Sequence, residues 1–220
     1  MRSITSNGMS KTKKNIAIID YGVGNLHSLI KAFKHFGQNA FITEEANDIK
    51  SADAIVLPGV GAFKSGMEGL MIRSLVNAIK DFSKTGKPIL GICLGAQLLM
   101  SEGYEFGKFK GLDIIPGKVV IFEKIQEKIP HIGWNEIMPP LKKSWKGSIL
   151  QSTKDRSNVY FVHSYIFKPS KQKNIFAYTQ YGNTRFCSAI KMDNVYGCQF
   201  HPEKSGDVGL KIIENFIKLA

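Results

Sequence analysis

The chain has 220 residues, of which 43% are hydrophobic and 22% are charged, so it can bury a substantial core and is not a disordered chain. No apolar run approaches the roughly 18 residues of a membrane-spanning helix, and the polar segment 1–15 lacks the apolar centre of a secretion signal. We therefore expect a soluble cytoplasmic protein with no membrane partner.

The chain is basic, with 30 Lys and Arg residues against 18 Asp and Glu residues and a net charge of +12. Nucleic-acid binding is one hypothesis for such a charge. The basic residues are scattered, however, and form no stripe interleaved with aromatic residues. Solvated surface lysines are the favoured explanation of the charge, and a surface that docks on an acidic partner protein is another. We expect no nucleic-acid partner.

The first half of the chain alternates between strand and helix signals. We expect residues 1–14 to be a disordered leader and residues 15–220 to form a single domain. Short apolar runs predict strands at 16–19, 40–42, 53–57 and 88–92. Apolar periodicity predicts helices at 26–36, 63–83 and 96–100, the second with an interruption near Gly69. This rhythm is typical of a parallel sheet covered by helices.

The second half carries a different pattern. Segments rich in β-branched and aromatic residues predict strands, several of them antiparallel, at 118–122, 132–138, 159–163, 176–181, 186–191 and 195–200. A last helix is predicted from about Ser205. The predicted fold class is therefore α/β, with a mostly parallel central sheet flanked by helices and an additional antiparallel strand region.

A candidate nucleophile lies in the sequence GICLG (91–95), where an apolar strand ends at Cys93 between two glycines. This is the pattern of a nucleophile elbow with cysteine in place of serine. A thiolate there gains from a helix N-terminus, and the N–H of Leu94 points toward an oxyanion. The alternative is a buried core cysteine. Three cysteines without close spacing indicate neither a disulfide framework nor a metal site, and we expect no cofactor.

A thiolate nucleophile needs a proton carrier. His201 and Glu203 follow a predicted strand, and residues two apart in an extended segment point to the same side, so Glu203 can orient His201 toward Cys93. A His-x-Glu pair alone is weak evidence. The sequence PGVG (58–61) ends another strand, where a backbone N–H can approach a substrate, although an ordinary turn explains it as well. His27 and His35 are expected on the surface.

Several of these motifs together resemble a known family. GICLGAQ (91–97) with HPE (201–203) is similar to the triad-type, class I glutamine amidotransferases. Within this family the chain resembles the glutaminase subunits (HisH) of imidazole glycerol phosphate synthase, from residue 16 to the C-terminus. The motifs that carry this closer resemblance are IDYGVGNL (19–26), LPGVGAF (57–63), PHIGWN (130–135), YFVHSY (160–165) and QFHPEKS (199–205).

The resemblance implies a Cys93–His201–Glu203 triad that hydrolyses L-glutamine, with the backbone N–H groups of Val60 and Leu94 as the oxyanion hole. The positions that it implies around the substrate are Gly59, Gly61, Gln97, Glu105, Ser164 and Tyr165. The ammonia would pass to a (β/α)8-barrel cyclase in a heterodimer, which makes imidazole glycerol phosphate and an aminoimidazole carboxamide ribonucleotide in histidine biosynthesis. The positions that it implies at the partner interface are Trp134, Tyr160 and Lys204.

Some alternatives stay open at this stage. A related glutaminase supplies ammonia to a HisF-like partner that aminates a surface-polysaccharide sugar. A non-catalytic scaffolding subunit would be expected to lack a triad member, and none is missing here. Lys204 either assists the neighbouring thiolate or, pointing away from His201 and Glu203, meets a carboxylate of the partner.

Overall fold

The computed structural model describes residues 13–24, 26–123, 125–140 and 144–220. Residues 1–12 of the expected leader lie outside these ranges, so the leader and the single-domain assignment stay predictions. Lys14 is attached to the folded part, since its backbone N–H donates to Gln38 Oε1 at 3.0 Å. No helix in the described ranges is long and apolar enough to cross a membrane.

The main sheet has a parallel half and a second half in which most neighbouring strands are antiparallel. The strands of the parallel half are β1 (Asn15–Ile19), β2 (Asn39–Thr43), β3 (Ala54–Leu57), β4 (Ile89–Ile92) and β13 (Val195–Cys198). The remaining strands of this sheet are β5 (Met100–Gly103), β6 (Phe109–Lys110), β7 (Ile115–Ile121), β10 (Tyr165–Pro169), β11 (Ile175–Tyr181) and β12 (Thr184–Met192). Within the described ranges the order is β2-β1-β3-β4-β13-β12-β10-β7-β5-β6, with β11 beside β12. The predicted fold class is confirmed.

Helices cover both faces of this sheet, because the side chains of its central strands alternate between two cores. Ile16 and Ile18 of β1 pack in one core, and Ala17 and Ile19 pack in the other. The helices are α1 (Leu26–His35), α2 (Ala46–Ser51), α3 (Phe63–Ile72), α4 (Leu75–Ser83), α5 (Leu94–Leu98) and α6 (Gly206–Leu219). The buried apolar side chains of these helices complete the two cores.

Two predictions about helices were wrong. The helical segment 63–83 is interrupted at Ser74, which has a left-handed φ of 56°, and not near Gly69. Gly69 lies inside α3. A glycine is needed at this position because a Cβ would come within 2.1 Å of the Tyr21 carbonyl oxygen. The helix expected at 96–100 begins at Leu94 and ends at Leu98, and Met100 already belongs to β5. His27 and His35 are exposed, as expected.

A separate two-stranded sheet consists of β8 (His131–Ile137) and β9 (Ser157–His163), paired antiparallel. Only Ser164 separates β9 from β10, which runs in the main sheet between β7 and β12. The chain therefore passes from one sheet to the other within a single residue. Three neighbouring parallel strands, β3, β4 and β13, end at the same edge of the main sheet, where Gly59, Cys93 and His201 follow them.

Candidate active site

Cys93 occupies a strained turn between β4 and α5, with φ 51° and ψ −109°. Such a conformation is costly for a non-glycine residue and is typical of functional sites. The flanking glycines make the turn possible. A Cβ on Gly91 would lie 2.6 Å from Ala96 Cα, and one on Gly95 would lie 1.7 Å from the Leu57 carbonyl oxygen. The sequence thus forms the elbow that the spacing of its glycines predicts.

The surroundings of the Cys93 sulfur come from two other segments. Sγ lies 3.7 Å from the Val162 carbonyl oxygen on β9 and 3.7 Å from Nε2 of the buried Gln199. Cys93 precedes the N-terminus of α5, as expected, but this helix has only five residues. Its contribution to thiolate stability comes from the first-turn N–H groups rather than from a long macrodipole. Individual hydrogen-bond donors near the sulfur therefore contribute more to the stability of the thiolate than the sequence predicted.

His201 and Glu203 form a buried pair, with Nδ1 and Oε1 2.8 Å apart and side chains that are 2% and 4% exposed. The prediction that His201 and Glu203 lie in an extended segment was wrong, because residues Pro202–Lys204 form a 3-10 turn. The contact between the two side chains nevertheless forms within this turn. The backbone N–H of His201 donates to the Tyr160 carbonyl at 2.9 Å, which ties the turn to β9.

The charge state of His201 is set by opposing effects. Burial lowers its pKa, but interaction with the Cys93 sulfur and the hydrogen bond with Glu203, together with the charges of both groups, raise the pKa to about 9. Among the described residues, no hydrogen-bond partner reaches the buried Nε2 of His201. This nitrogen is the one left to exchange a proton with a reacting group.

A cavity of about 440 Å³ lies beside Cys93. The predicted site residues that line it are Val60, Gly61, Cys93, Leu94, Gln97, Glu105, Ser164 and Tyr165. Lining residues that were not predicted are Ala62, Pro130, Val162 and His163. The predicted Gly59 is not in the lining. A Cβ there would come within 2.2 Å of the Tyr21 hydroxyl oxygen, so close packing accounts for this glycine.

Two polar residues of the cavity wall are held firmly. Oε2 of Glu105 accepts a hydrogen bond from the backbone N–H of Phe63 at 2.6 Å, at the start of α3. Nε2 of Gln97 donates to the Tyr165 carbonyl at 3.3 Å and to Oε1 of Gln199 at 3.1 Å. The cavity therefore offers a carboxylate and an amide in fixed positions, which suits a ligand with a charged amino group and polar ends.

The two predicted oxyanion donors do not converge in this conformation. The N–H of Leu94 donates to the Gly59 carbonyl at 3.3 Å. The carbonyl of a trans peptide and the N–H of the next residue point in opposite directions. The N–H of Val60 therefore points away from that of Leu94, and the geometry for holding an oxyanion is incomplete.

Comparison with known proteins decides the family. Residues 17–219 match the family described as "Glutamine amidotransferase class-I". The chain belongs to the class I glutamine amidotransferases. It is 46% identical to imidazole glycerol phosphate synthase subunit HisH 1 of Legionella pneumophila (strain Paris), over 93% of this chain and 99% of that one. Identity to subunit HisH of Chlorobaculum tepidum is 43%, over 91% and 98% of the two chains.

The fold of this amidotransferase agrees with solved structures. A putative GMP synthase component from Thermoplasma acidophilum has a TM-score of 0.68 at 19% identity, with 94% of each chain covered. PurLQS from Thermotoga maritima has a TM-score of 0.69 at 15% identity, over 94% of this chain and 98% of that one. The resemblance to HisH subunits and to the class I fold, predicted from the motifs, is confirmed.

The predicted partner-facing residues lie together on the surface of this amidotransferase. Trp134 on β8 is 58% exposed, and its ring centroid is 6.0 Å from that of Tyr160 on β9. Nζ of Lys204 is 6.0 Å from the centroid of the Tyr160 ring. Ile132, two residues before Trp134 on the same strand, is also exposed. We call these four residues the aromatic patch.

Sequence reasoning assigned no role to two features of the site. His131 and His163 are buried and directly bonded, with Nδ1 of His131 3.1 Å from Nε2 of His163. Gln199 stood in a quoted motif, yet its contact with Cys93 was not expected. The two histidines meet because they are opposite each other in the pairing of β8 with β9, and the alternation within PHIGWN and YFVHSY does not specify that pairing. No local pattern indicated where the Gln199 side chain would point.

Proposed function

We propose that this chain is the glutaminase subunit of an imidazole glycerol phosphate synthase and releases ammonia from glutamine for a cyclase partner. The observation that carries the proposal is the strained Cys93 at the wall of a 440 Å³ cavity, with the buried His201–Glu203 pair beside it. The identity of 43–46% to HisH subunits over more than 90% of the chain supports the choice of pathway.

The reaction follows from the groups present. The Cys93 thiolate attacks the side-chain amide carbon of glutamine, and the protonated His201 gives its proton to the departing ammonia. The resulting thioester is hydrolysed by a water molecule that His201, now neutral, deprotonates. Glu203 holds the His201 ring and stabilises its charged form, consistent with the raised pKa of that histidine.

The oxyanion formed in each step needs two N–H donors. Rotation of the Gly59–Val60 peptide would release the Leu94 N–H and turn the Val60 N–H to the same side. Gly61, with φ 115°, gives the neighbouring backbone the freedom that such a rotation needs. We propose that the partner favours this rotated state, so that glutamine is hydrolysed chiefly in the complex.

The partner that we propose is a (β/α)8-barrel cyclase, joined to this chain as a heterodimer through the aromatic patch. Trp134 is exposed and Tyr160 is half-buried, and aromatic residues are enriched at protein interfaces. Ammonia would pass to the partner at this surface without release to solvent. Cys93 and Cys198 carry free thiols, which suits the reducing cytoplasm.

The test uses the complex with its barrel partner and replaces Cys93 by Ser. A serine hydroxyl in this site is a much weaker nucleophile, so glutamine-dependent product formation should fall by at least 10³-fold. Product formation from added ammonium salt should stay within about twofold of the wild type, since the partner's chemistry needs only ammonia. Equal loss of both activities, or an acceptor that is a polysaccharide sugar, would contradict the proposal.

An electrophilic glutamine analogue provides an independent check. It should label Cys93 and leave Cys198 unmodified, because burial raises the pKa of the Cys198 thiol and keeps it protonated. Cys187 is also buried. Modification of Cys187 or Cys198 in place of Cys93 would identify another nucleophile.

A further inference from the structure

Gln199 is a fully buried residue directly after β13, two positions before His201. Its backbone N–H donates to the Ser188 carbonyl at 2.9 Å, so the main chain is fixed. The side chain does not line the substrate cavity. It reaches the nucleophile instead, where Nε2 lies 3.7 Å from Cys93 Sγ.

A chain of hydrogen bonds determines which end of the Gln199 amide faces the sulfur. The Tyr165 carbonyl can only accept, so the atom of Gln97 that contacts it at 3.3 Å is the amide nitrogen. The second hydrogen of that nitrogen is donated to Oε1 of Gln199 at 3.1 Å. The remaining group, the Nε2 of Gln199, then points to Cys93. The reversed amide would place two N–H donors against each other and an oxygen against the sulfur.

The contacts of the sulfur differ between its two protonation states. The thiol can donate its hydrogen to the Val162 carbonyl, 3.7 Å away, whereas a thiolate cannot. The Val162 carbonyl therefore favours the thiol, and an N–H donor at the same sulfur favours the thiolate. We propose that Gln199 is a catalytic hydrogen-bond donor that stabilises the Cys93 thiolate, and that Gln97 positions it for this role.

This role applies at two moments of the reaction. Before attack, the donor lowers the free energy of the thiolate relative to the thiol. When water has added to the thioester and the C–S bond breaks, the electron pair returns to sulfur, and the same N–H group stabilises the departing thiolate. Both effects change kcat. KM for glutamine should change little, because Gln199 does not line the glutamine-binding cavity.

The experiment measures the rate at which iodoacetamide alkylates Cys93 as a function of pH, with the Cys93 peptide quantified by mass spectrometry. Gln199→Met keeps the length of the side chain and removes the donor. The midpoint of its pH profile should move up by about one pH unit, the size expected for a hydrogen bond to a charged group. In the complex with the partner, kcat should fall roughly tenfold with KM for glutamine within about twofold. Gln180→Met, on an exposed glutamine, is the matched control.

Two further variants separate this role from packing. Gln199→Glu keeps the shape and the acceptor toward Gln97 but presents an oxygen to the sulfur, so its midpoint should rise at least as far. Gln97→Leu removes the group that orients Gln199. It should raise the midpoint in the wild-type background and produce no further rise when combined with Gln199→Met. Additive shifts would contradict the positioning role of Gln97.

An unchanged midpoint in Gln199→Met and Gln199→Glu, even with slower alkylation, would overturn the inference and leave Gln199 a packing residue. The inference rests on Cys93 as the nucleophile of the proposed glutaminase. The role of Gln199 and the proposed glutaminase function can be contradicted separately. Wild-type protein that is not labelled at Cys93 by a glutamine analogue contradicts the proposed function, whereas normal labelling with unmoved midpoints contradicts only the role of Gln199.

Discussion

Lys204 is an exposed cation directly after the buried Glu203. The 3-10 turn that follows His201 separates the two neighbours, since it buries one and exposes the other. The Lys204 ammonium lies 6.0 Å from the Tyr160 ring and thus belongs to the aromatic patch. Of the two roles considered for Lys204, this contact favours the one at the partner surface.

We predict that Lys204→Ala leaves labelling of Cys93 by a glutamine analogue within about twofold of the wild type, because the triad does not need this charge. Coupling to the partner should weaken, so that more glutamate is released than product is formed. Assaying both products in the complex measures the ratio. Lys154→Ala, on another exposed lysine, should keep the ratio at one. A ratio of one in Lys204→Ala with both rates lowered would instead favour a role next to the thiolate.

The histidine pair beside the cavity is neutral at physiological pH. Burial lowers the pKa of His131 to about 4 and that of His163 to about 3. Nδ1 of His163 donates to the Tyr165 carbonyl at 2.9 Å, so its Nε2 accepts from Nδ1 of His131. A proton added to this pair would break a hydrogen bond in the wall of the cavity.

This pair should make the protein less stable in acid. Between the unfolded pKa near 6.5 and the folded values, the unfolded chain binds protons that the folded chain does not, so stability falls as pH falls. The slope approaches about 1.4 kcal/mol per pH unit for each histidine. His201 acts in the opposite direction near pH 6.5, because its raised pKa keeps it protonated in the folded chain while the unfolded chain partly loses the proton. Below about pH 6 this residue is protonated in both states, so urea unfolding between about pH 6 and pH 5 measures the slope that the pair produces.

The variant His163→Gln should flatten this slope by about half, because one of the two titrating groups is gone. His35→Gln replaces an exposed histidine and should retain the wild-type slope. Identical slopes in wild type and His163→Gln would show that the buried pair does not govern acid stability.

At the scale of elements, β9 connects the surface to the nucleophile. Tyr160 of this strand belongs to the aromatic patch, and the Val162 carbonyl contacts Cys93 Sγ. The strand is tied to the triad turn by Ser205, whose Oγ accepts from the Tyr160 N–H at 3.0 Å and donates to the His201 carbonyl at 2.6 Å. A displacement of β9 at the surface therefore acts on the positions of both Cys93 and His201.

Ser205→Ala should lower the free energy of unfolding by about 1–3 kcal/mol, because the Tyr160 N–H loses its acceptor in a buried site. The kcat for glutamine should fall as well, since the His201 carbonyl loses one of its two donors and keeps only the Lys204 N–H, 3.0 Å away. Urea unfolding and glutamate release measure the two effects. Ser51→Ala, which removes an exposed hydroxyl bonded to Asp48, should change stability by less than about 0.5 kcal/mol. Equal effects of the two substitutions would contradict the role of Ser205.

The elements that could be predicted best from sequence are those with a continuous apolar run or a strong apolar period. The parallel strands and α1 and α6 have such periods, whereas α2 is six residues without one, and β10 follows β9 so closely that the two signals merge. The position of Gly69 was misread because a close approach to the Tyr21 carbonyl, rather than a helix end, requires glycine there. Contacts between distant segments leave no trace in a local pattern.

The same limit holds at the site. Cys93, His201 and Glu203 could be proposed as a triad from the sequence because their glycines and strand ends are local signals. The contact of Gln199 with the sulfur joins residues 106 positions apart. The orientation of the Gly59–Val60 peptide depends on which of two hydrogen-bond arrangements is more stable, and both are compatible with the sequence PGVG.

At the scale of the whole molecule, the sheet order explains why the site and the aromatic patch are neighbours. The parallel strands β3, β4 and β13 deliver Gly59, Cys93 and His201 to one edge of the main sheet. The smaller sheet of β8 and β9 lies against that edge through the hydrogen bonds of Tyr160 with His201 and Ser205. A partner bound to the aromatic patch, as proposed, would therefore touch elements that contact Cys93 and His201.

The isolated chain should consequently hold a formed nucleophile and an incomplete oxyanion hole. The Leu94 N–H is occupied by the Gly59 carbonyl, and the loss of one oxyanion donor costs roughly 10²–10³ in rate. We predict that adding the barrel partner with its substrate raises glutamate release by at least about 10²-fold. Alkylation of Cys93 by iodoacetamide should change by less than about twofold, because it forms no oxyanion at this position. Glutamate release by the isolated chain at the rate of the complex would contradict activation by peptide rotation. A parallel rise in alkylation would place the effect of the partner on the thiolate instead.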